Sequence, residues 1–354
     1  MRIGSGRTVA LAIMLALTAC TSRPQGMDGG TSRANPTPPQ AQTPSALPEP
    51  ELPEITTVRQ AGGEAMHAPS SADWIVVDFG RAWVSRANGI GFYDAETGRL
   101  LGSVDVPQSP CASMDPGFGA LWTATCGQRG VARIDPEGGK VTGWVRVDVP
   151  ADGESSIGAG EGGIWAIADG EDCSGCVLVR IDPKTVEITD TWDVPEGGAA
   201  VRAGLGGIWI TYPSEDRVRH VDPDTGEVVA EIDVGSGPRF LDVGEGGVWV
   251  MDQSDGSVTH IDPTADTVVA TIPVDPGSIF GGDVIVGAGS VWLRASSELV
   301  AQIDPATDRV VARIGPSQAS GGMDANEGHL WIADHYERPS GWRAVLYRIP
   351  LSGS

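Results

Sequence analysis

Positive charge is scarce in this sequence. Its 354 residues include 24 Lys and Arg against 47 Asp and Glu, which gives a formal net charge of −23 at pH 7. Such a charge repels the phosphate backbone of nucleic acids, and no local cluster of basic residues offsets it. Nucleic acid is therefore not expected among the partners of this chain.

Helical patterning is missing as well. The sequence has no heptad pattern and few long runs of helix-forming residues, whereas its 49 Gly and 26 Pro indicate many tight turns. Apolar residues make up 40% of the chain, enough for a sizeable core. All-β architectures of this length often form one domain, so the composition predicts a single all-β domain.

Long apolar runs are absent apart from one short stretch at the N-terminus. Arg2 and Arg7 precede apolar residues 9–17, which are too few to span a bilayer, and Leu17-Thr18-Ala19-Cys20 follows. This ending resembles the lipobox of bacterial lipoproteins, in which signal peptidase cuts before the cysteine and its sulfur is lipidated. The resemblance implies a signal peptide over residues 1–19 and an extracytoplasmic protein anchored to the membrane of the cell envelope through Cys20. The alternative is an ordinary secretory signal with an incidental cysteine.

The segment after Cys20 has almost no large apolar side chains. Residues 21–50 are rich in Pro, Ser, Thr, Gln and Gly, and such a segment cannot bury enough apolar surface to offset its ordering entropy. Residues 20–50 are predicted to form a disordered tether, partly stiffened by its prolines. The folded domain is predicted over residues 51–354.

A repeat of about 40 residues fills that domain. Each unit places a tryptophan between apolar neighbours, and the spacings lie between 39 and 44 residues, at Trp83, Trp122, Trp165, Trp209, Trp249, Trp292 and Trp331. A turn such as Ile261-Asp262-Pro263 follows in most units, because Asp accepts bonds from backbone donors ahead of it and Pro presets φ. Four short strands per unit predict a seven-bladed β-propeller of antiparallel blades, with the tryptophans packed between blades.

The last unit is one strand short. After Trp331 the chain supplies a further β-prone run at residues 344–349 and then stops at Ser354. Residues 55–59 form a short β-prone run ahead of the first inner strand, predicted at residues 74–79. We expect residues 55–59 to complete blade seven and so close the ring, which removes an exposed strand edge.

Cysteine is rare, and apart from Cys20 there are four. Cys111 and Cys126 fall on strands of blade two that should lie opposite each other, so a disulfide between them is predicted. Cys173 and Cys176 form a lone CxxC, which suits a small-loop disulfide, a redox dithiol or half of a metal site. Structural disulfides are favoured, and pairing between the two sets stays open because both should lie on one face.

The repeat also resembles a known group of propellers. The pattern Gly-Gly-apolar-Trp-apolar, followed by Ile-Asp-Pro-x-Thr-Gly-x-Val-Val-Ala-x-Ile-x-Val-Gly, is similar to the YVTN-type and virginiamycin B lyase-like seven-bladed propellers. The similarity spans about residues 54–354 and is clearest at residues 207–238. It implies the fold, whereas the family's activities range from lyases and lactonase-like relatives to surface proteins without known catalysis.

The lyase activity of that family implies a metal and a catalytic histidine near the channel. Family lyases carry Pro-His-Gly at inner-strand starts, but the corresponding positions here, Pro238-Arg239-Phe240, Gly281-Gly282-Asp283 and Ser320-Gly321-Gly322, contain no histidine. Only His335 is predicted to lie where a second strand meets the binding face. A single histidine does not recreate the lyase site.

Function is therefore predicted to reside in loops that do not repeat. The loops before inner strands and after second strands share one face, and their polar residues are the candidate ligand-binding set, although each taken singly also fits a solvated rim: Asp73, Arg86, Glu154, Asp169, Tyr212, Arg239, Asp252, Asp283 and His335. No cofactor is predicted. The aspartates would suit a Ca²⁺ or Mg²⁺ ion, but residues 252–256 lack the full EF-hand loop and its distal Glu.

Two functions fit these features. The leading hypothesis is a monomeric, membrane-anchored binding or scaffold module for a protein, peptide or glycan. The alternative is a metal-dependent enzyme of lyase or lactonase type that uses His335 and nearby carboxylates. No serine nucleophile elbow or P-loop points to another enzyme class.

Overall fold

The protein is described here by a computed structural model. It covers residues 52–351 apart from short gaps at 70, 108–109, 151–156, 170–175, 276, 278, 280, 297, 318–319 and 339–340, and it does not describe the side chains of residues 112 and 336–342. The predicted signal peptide, the lipidated Cys20 and the tether lie outside the described residues. Within them the chain forms 29 β-strands and no helix.

Seven sheets form the blades of a β-propeller with four antiparallel strands each, as predicted. The four strands are consecutive in the chain in blades one to six. Blade one contains β3 (Ile75–Asp78), β4 (Arg81–Arg86), β5 (Gly89–Asp94) and β6 (Leu100–Asp105). Blade two contains β7 (Pro110–Gly117), β8 (Ala120–Thr125), β9 (Gly130–Asp135) and β10 (Lys140–Arg146). Blade three contains β11 (Ile157–Gly160), β12 (Gly163–Asp169), β13 (Cys176–Ile181) and β14 (Ile188–Val194).

Blade four contains β15 (Val201–Gly204), β16 (Gly207–Tyr212), β17 (Arg217–Val221) and β18 (Val228–Asp233). Blade five contains β19 (Pro238–Gly244), β20 (Gly247–Asp252), β21 (Ser257–Asp262) and β22 (Thr267–Pro273). Blade six contains β23 (Val284–Gly287), β24 (Ser290–Leu293), β25 (Val300–Asp304) and β26 (Arg309–Gly315). Blade seven contains β27 (Met323–Ala325), β28 (His329–Arg338) and β29 (Gly341–Pro350). Each inner strand contacts the inner strand of the next blade, and β27 contacts β3, so the ring is complete.

The fourth strand of blade seven comes from the N-terminal part of the chain, but not from the predicted residues. β2 (Glu64–His67) pairs antiparallel with β29, whereas β1 (Ile55–Thr57) pairs parallel with β26 as a fifth strand of blade six. The assignment of residues 55–59 to blade seven was therefore wrong. The chain turns after β1, where Ala61 N donates to Thr57 O at 3.0 Å, and it reaches blade seven only at Glu64.

The repeated tryptophans lie in the second strands and are almost fully buried, with at most 2% of each residue exposed. In six blades the indole Nε1 donates to the backbone oxygen five residues earlier, as Trp209 does to Gly204 O at 3.0 Å. In blade seven, Trp331 donates instead to Ala95 O of blade one at 3.3 Å. The tryptophans are thus core residues of the blades, as predicted.

Two histidines add contacts between blades on top of these tryptophans. His220 stacks on Trp209 with ring centroids 4.1 Å apart, and its Nδ1 lies 2.8 Å from Asp266 Oδ1 of the next blade. His260 repeats the arrangement on Trp249 and Asp308, with a centroid distance of 3.8 Å and an Nδ1–Oδ1 distance of 2.8 Å. Both histidines therefore have structural roles away from the channel.

The cysteines of blade two form the predicted disulfide. Cys111 and Cys126 are bonded, with Cα atoms 5.1 Å apart, and the bond links the start of the inner strand to the end of the second strand. Cys176 carries a free thiol at the start of β13, in contrast to the predicted disulfide. Its predicted partner Cys173 lies outside the described residues.

The His260–Asp308 contact can be tested at a residue with φ of 53°. We expect Asp308→Asn to leave stability nearly unchanged, because asparagine tolerates this left-handed backbone and keeps an acceptor oxygen. Asp308→Gly should lower the free energy of unfolding by about 1–3 kcal/mol through loss of the hydrogen bond. Asp308→Ala should lower the free energy of unfolding by about 1–2 kcal/mol more than Asp308→Gly, because the β-carbon of alanine is strained in the left-handed backbone. Urea unfolding measures all three, and equal stability of the Asn and Gly variants would show that the contact contributes nothing.

Candidate functional site

The propeller has two faces with different loops. The upper face carries the loops that enter the inner strands and those that leave the second strands. The lower face carries the hairpin tips between inner and second strands, together with the turns between third and outer strands, such as Asp262–Asp266 in blade five. The predicted ligand-binding residues that the structure describes all belong to upper-face segments.

A cavity of about 170 Å³ opens on the upper face at the mouth of the channel. Blades five, six, seven and one contribute its walls, which contain Asp73, Trp74, Arg239, Phe240, Gln253, Gly281, Gly282, Ser320, Gly321 and His335. The structure thus brings together three of the predicted candidates, Asp73, Arg239 and His335. None of the lining residues is one of the repeated tryptophans.

His335 and Asp73 form the most polar wall of the cavity. The imidazole Nδ1 lies 3.1 Å from Asp73 Oδ1 across the junction of blades seven and one. The backbone of His335 is fixed to the loop before the inner strand of its own blade, since His335 N donates to Ser320 O at 2.9 Å. A carboxylate that orients an imidazole is an arrangement used both for ligand binding and for general acid–base chemistry.

The floor of the cavity is aromatic. Trp74 of blade one and Phe240 of blade five meet edge to face with ring centroids 5.4 Å apart, and the Arg239 guanidinium lies 5.5 Å from the Phe240 ring. Both rings are 6% exposed and belong to one buried cluster with Met114 of blade two. Because Phe240 of blade five lies across the ring from adjacent blades one and two, these residues meet across the axis and form an apolar plug at the mouth of the channel.

Three carboxylates lie deeper in the inner strands. Asp115, Asp242 and Asp324 each stand opposite the repeated tryptophan of their blade. Each accepts a hydrogen bond from a backbone nitrogen of the following blade, at 2.7, 2.7 and 2.6 Å from Ala159, Val286 and Val77. We call these three residues the carboxylate ring, because they join neighbouring inner strands around the axis.

Arg202 of blade four occupies the same position and supplies a cation. It donates to Ile157 O at 2.9 Å, and its Nε lies 3.7 Å from Asp242 Oδ1. These residues lie in the inner strands, so a prediction drawn from the variable loops does not include them. The signal was present, since each of these residues lies seven positions before a repeated tryptophan and interrupts an otherwise apolar strand.

Burial controls the ionisation of these carboxyl groups. Desolvation raises the pKa of Asp115 and of Asp324 to about 7, and it also raises the pKa of Asp242, with Arg202 opposing the effect at Asp115 and Asp242. Asp283, 2% exposed, accepts from Val284 N at 2.9 Å, and desolvation raises its pKa to about 8. Asp283 thus belongs beside the ring and does not line the cavity.

The other candidates lie apart from the cavity. Tyr212 is fully buried under the Arg219 guanidinium, 4.0 Å from its ring, and desolvation raises its pKa to about 12. Asp252 is fully buried and accepts from Thr259 Oγ1 at 2.7 Å, and desolvation raises its pKa to about 7.

Two further candidates form ion pairs at the rim, Arg86 with Asp105 and Asp169 with Arg129. Glu154 lies outside the described residues. In the described part of the chain, no group of three or more His, Cys, Asp and Glu side chains is placed to hold a metal ion. No helix long and apolar enough to cross a membrane occurs there either.

The raised pKa values predict a pH dependence of stability. The folded protein binds these protons more tightly than the unfolded chain, whose aspartates titrate near pH 4. The stabilisation of the folded protein by proton binding to the carboxylate ring is therefore fully present below about pH 4, and it is lost as the pH rises through about 7. We expect the unfolding temperature to decrease as the pH rises from about 4 to about 7. Asp115→Asn resembles the protonated form and should make this decrease with pH less steep.

The matched control for that measurement is Asp304→Asn. Hydrogen bonds from Thr307 and Ala306 hold the pKa of Asp304 below its usual range, so its contribution is lost only as the pH falls through the acid region. This variant should keep the wild-type slope between about pH 5 and 7. An unchanged slope in Asp115→Asn would show that the ring does not set the pH dependence.

Comparisons with known proteins support the fold and no narrower family. No family model and no curated protein matches this sequence. Solved structures similar to this chain include "Structure of U3-55K" (TM-score 0.64, 11% identity, covering 82% of this chain and 98% of that one) and "Crystal structure of RRP9 WD40 repeats" (0.64, 11%, 82% and 97%). The Cps50 (Swd1) β-propeller domain of Myceliophteria thermophila is also similar (0.63, 13%, 82% and 100%). The resemblance to YVTN-type and virginiamycin B lyase-like propellers stays a prediction, and the comparisons show the β-propeller fold alone.

Proposed function

We propose that this chain is a lipid-anchored propeller of the bacterial cell envelope that binds a protein, peptide or glycan partner at the upper face. The observation that carries the proposal is the cavity, whose polar walls come from four blades and from residues outside the repeat. The tryptophans, the Asp-Pro turns and the histidines of blades four and five are all engaged in the scaffold. Specific recognition is therefore left to the non-repeating loops.

The size of the cavity favours a partner larger than a metabolite. Sites for small molecules usually enclose about 300–1,000 Å³, whereas this one encloses about 170 Å³. It accommodates one side chain or one sugar ring as an anchor, with the rest of the partner spread over the surrounding rim. Interfaces commonly concentrate their binding energy in such a buried anchor.

The chemistry of the cavity suits an anchor with both apolar and polar parts. Trp74 and Phe240 offer aromatic surface, and Arg239, Gln253 and His335 offer charge and hydrogen bonds around it. Gln253 is held in place because its Nε2 donates to Gly281 O at 2.9 Å. Strand ends rather than long loops present these groups, which limits the entropy lost on binding.

Anchoring rests on the lipobox-like Leu17-Thr18-Ala19-Cys20 and on the tether predicted over residues 20–50. A diacylated cysteine with a third acyl chain holds a protein firmly at a membrane, whereas a single chain does not. The tether lets the propeller stand off from the lipid and present its upper face to a partner.

Enzymatic activity is the second candidate, and the His335–Asp73 contact is the observation in its favour. An imidazole oriented by a carboxylate can act as a general base on a ligand in the cavity. This reading corresponds to the lyase- or lactonase-type alternative, although the described residues place no group of three or more His, Cys, Asp and Glu side chains near His335 to hold the divalent ion of that alternative.

The binding proposal predicts that Arg239→Ala weakens partner capture at least tenfold, as expected for a residue beside the anchor. The full chain is expressed in its native membrane, cross-linked and captured, and the partners are quantified. Arg99→Ala is the matched control, because Arg99 is exposed beside the lower-face turn of blade one and should leave capture unchanged. Equal capture by both variants would place the interface elsewhere.

The enzymatic alternative has a different test. Metal bound to the purified protein, together with a loss of turnover in His335→Ala, would support the lyase- or lactonase-type function instead of the binding function.

Anchoring has its own test. Cys20→Ser should move the protein from the membrane fraction to the soluble extracytoplasmic fraction and abolish incorporation of radiolabelled fatty acid. Thr21→Ala, next to it, should change neither. Membrane association that persists in Cys20→Ser would rule out lipidation at this residue.

A further inference from the structure

The lower face has hairpin tips that differ from blade to blade. In blades one to six the tip has two residues, and the first of them is Phe79, Phe118, Glu161, Leu205, Glu245 or Ala288. In the first six blades this residue has a φ between 44° and 56°, and a glycine with positive φ follows it. Such two-residue turns favour Asn, Asp or Gly at the first position, because bulky residues are strained in the left-handed region.

Three tips carry large apolar side chains in this strained and exposed position. Phe79, Phe118 and Leu205 are 36%, 48% and 44% exposed. The tips project into open space, since a β-carbon built on Gly80, Gly119 or Gly206 would meet nothing within 4 Å. The fold does not require these residues, because glutamate or alanine fills the same position in other blades.

An acidic belt surrounds the tips on the same face. The turns between third and outer strands contain Asp94, Asp135, Asp182, Asp222, Asp262 and Asp304. Hydrogen bonds from the following residues hold several of these groups ionised; Thr225 N, for example, donates to Asp222 Oδ1 at 2.8 Å and lowers its pKa. The same effect lowers the pKa of Asp94, Asp182 and Asp304.

The apolar tips all belong to blades one to four, which follow one another around the ring. Phe79 and Phe118 belong to adjacent blades one and two, and Leu205 to blade four. Between them, Glu161 of blade three is tied back, because its carboxylate accepts from Gly206 N at 2.9 Å. The lower face therefore combines an apolar arc with a negatively charged surround.

We propose that this arc, formed by Phe79, Phe118 and Leu205, is a docking surface for a basic amphipathic segment of a second protein. The apolar side of such a segment covers the three tips, and its Lys and Arg side chains face the acidic belt. Charge complementarity identifies the partner, since the belt and the net charge of −23 repel an anionic lipid surface. This surface is independent of the upper-face cavity.

The test uses a variant that should fold at least as well as the wild type. In Phe79→Asn with Phe118→Asn, the left-handed backbone is retained by a residue that adopts it readily. We expect an unchanged or higher unfolding temperature. Affinity for a synthetic amphipathic Leu/Lys helix, measured with the purified full chain, should fall at least tenfold. A purely structural role for the two phenylalanines would lower the unfolding temperature instead.

Matched controls separate this surface from its alternatives. Ala288→Asn makes the same backbone replacement in blade six and should leave peptide affinity unchanged, as should Arg239→Ala on the upper face. A Leu/Glu helix should not bind, and added salt should weaken the Leu/Lys complex.

Three results would overturn the proposal. They are no binding of the Leu/Lys helix by the wild type, equal binding by the double variant, or equal binding of the Leu/Glu helix. Binding of Cys20→Ser protein to phosphatidylglycerol vesicles that depends on Phe79 and Phe118 would identify a membrane surface as the occupant and would equally overturn it.

Discussion

The indole of the repeated tryptophan holds each blade in shape, and the rest of the molecule depends on it. Its ring is buried between sheets, and in six blades its N–H donates to the carbonyl near the end of the inner strand, so one side chain fixes the hairpin that lies closest to the axis. In blade seven the indole donates to Ala95 O and joins the last blade to the first. A buried indole needs such a partner, because an unpaired N–H in the core is costly. These contacts together determine the positions of the upper and lower loops.

The inner strands create a second requirement, because one edge of each has no strand beside it. Backbone donors on that edge still need acceptors, and Asp115, Asp242 and Asp324 provide them across blade boundaries. These residues crowd carboxyl groups at the axis, with Arg202 as the neighbouring cation. The apolar plug of Trp74, Met114 and Phe240 lies above them, so the channel is polar within and apolar at its mouth.

The period of the tryptophan repeat made the architecture predictable, whereas contacts between blades could not be predicted from it. The tryptophan spacing led to the blade count, and the antiparallel order led to the disulfide between Cys111 and Cys126. The closing strand was misplaced because β propensity favours residues 55–59 over Glu64–His67, and pairing with β29 depends on where the chain turns. Asp73, Arg239 and His335 were found from their loop positions. Tyr212, Asp252 and Asp283 are buried by neighbouring segments, so their burial could not be predicted by comparing the repeats with one another.

The pairing of Glu64–His67 with Gly341–Pro350 has a consequence for biosynthesis. Glu64 and Arg348, which form an ion pair there, are 284 residues apart in the chain. A ribosome that has made the first six blades has not yet made the partner of β2, so the nascent ring stays open until β29 has been made. Until then β2 has an unpaired edge, and only a chain that extends through β29 can complete the last blade.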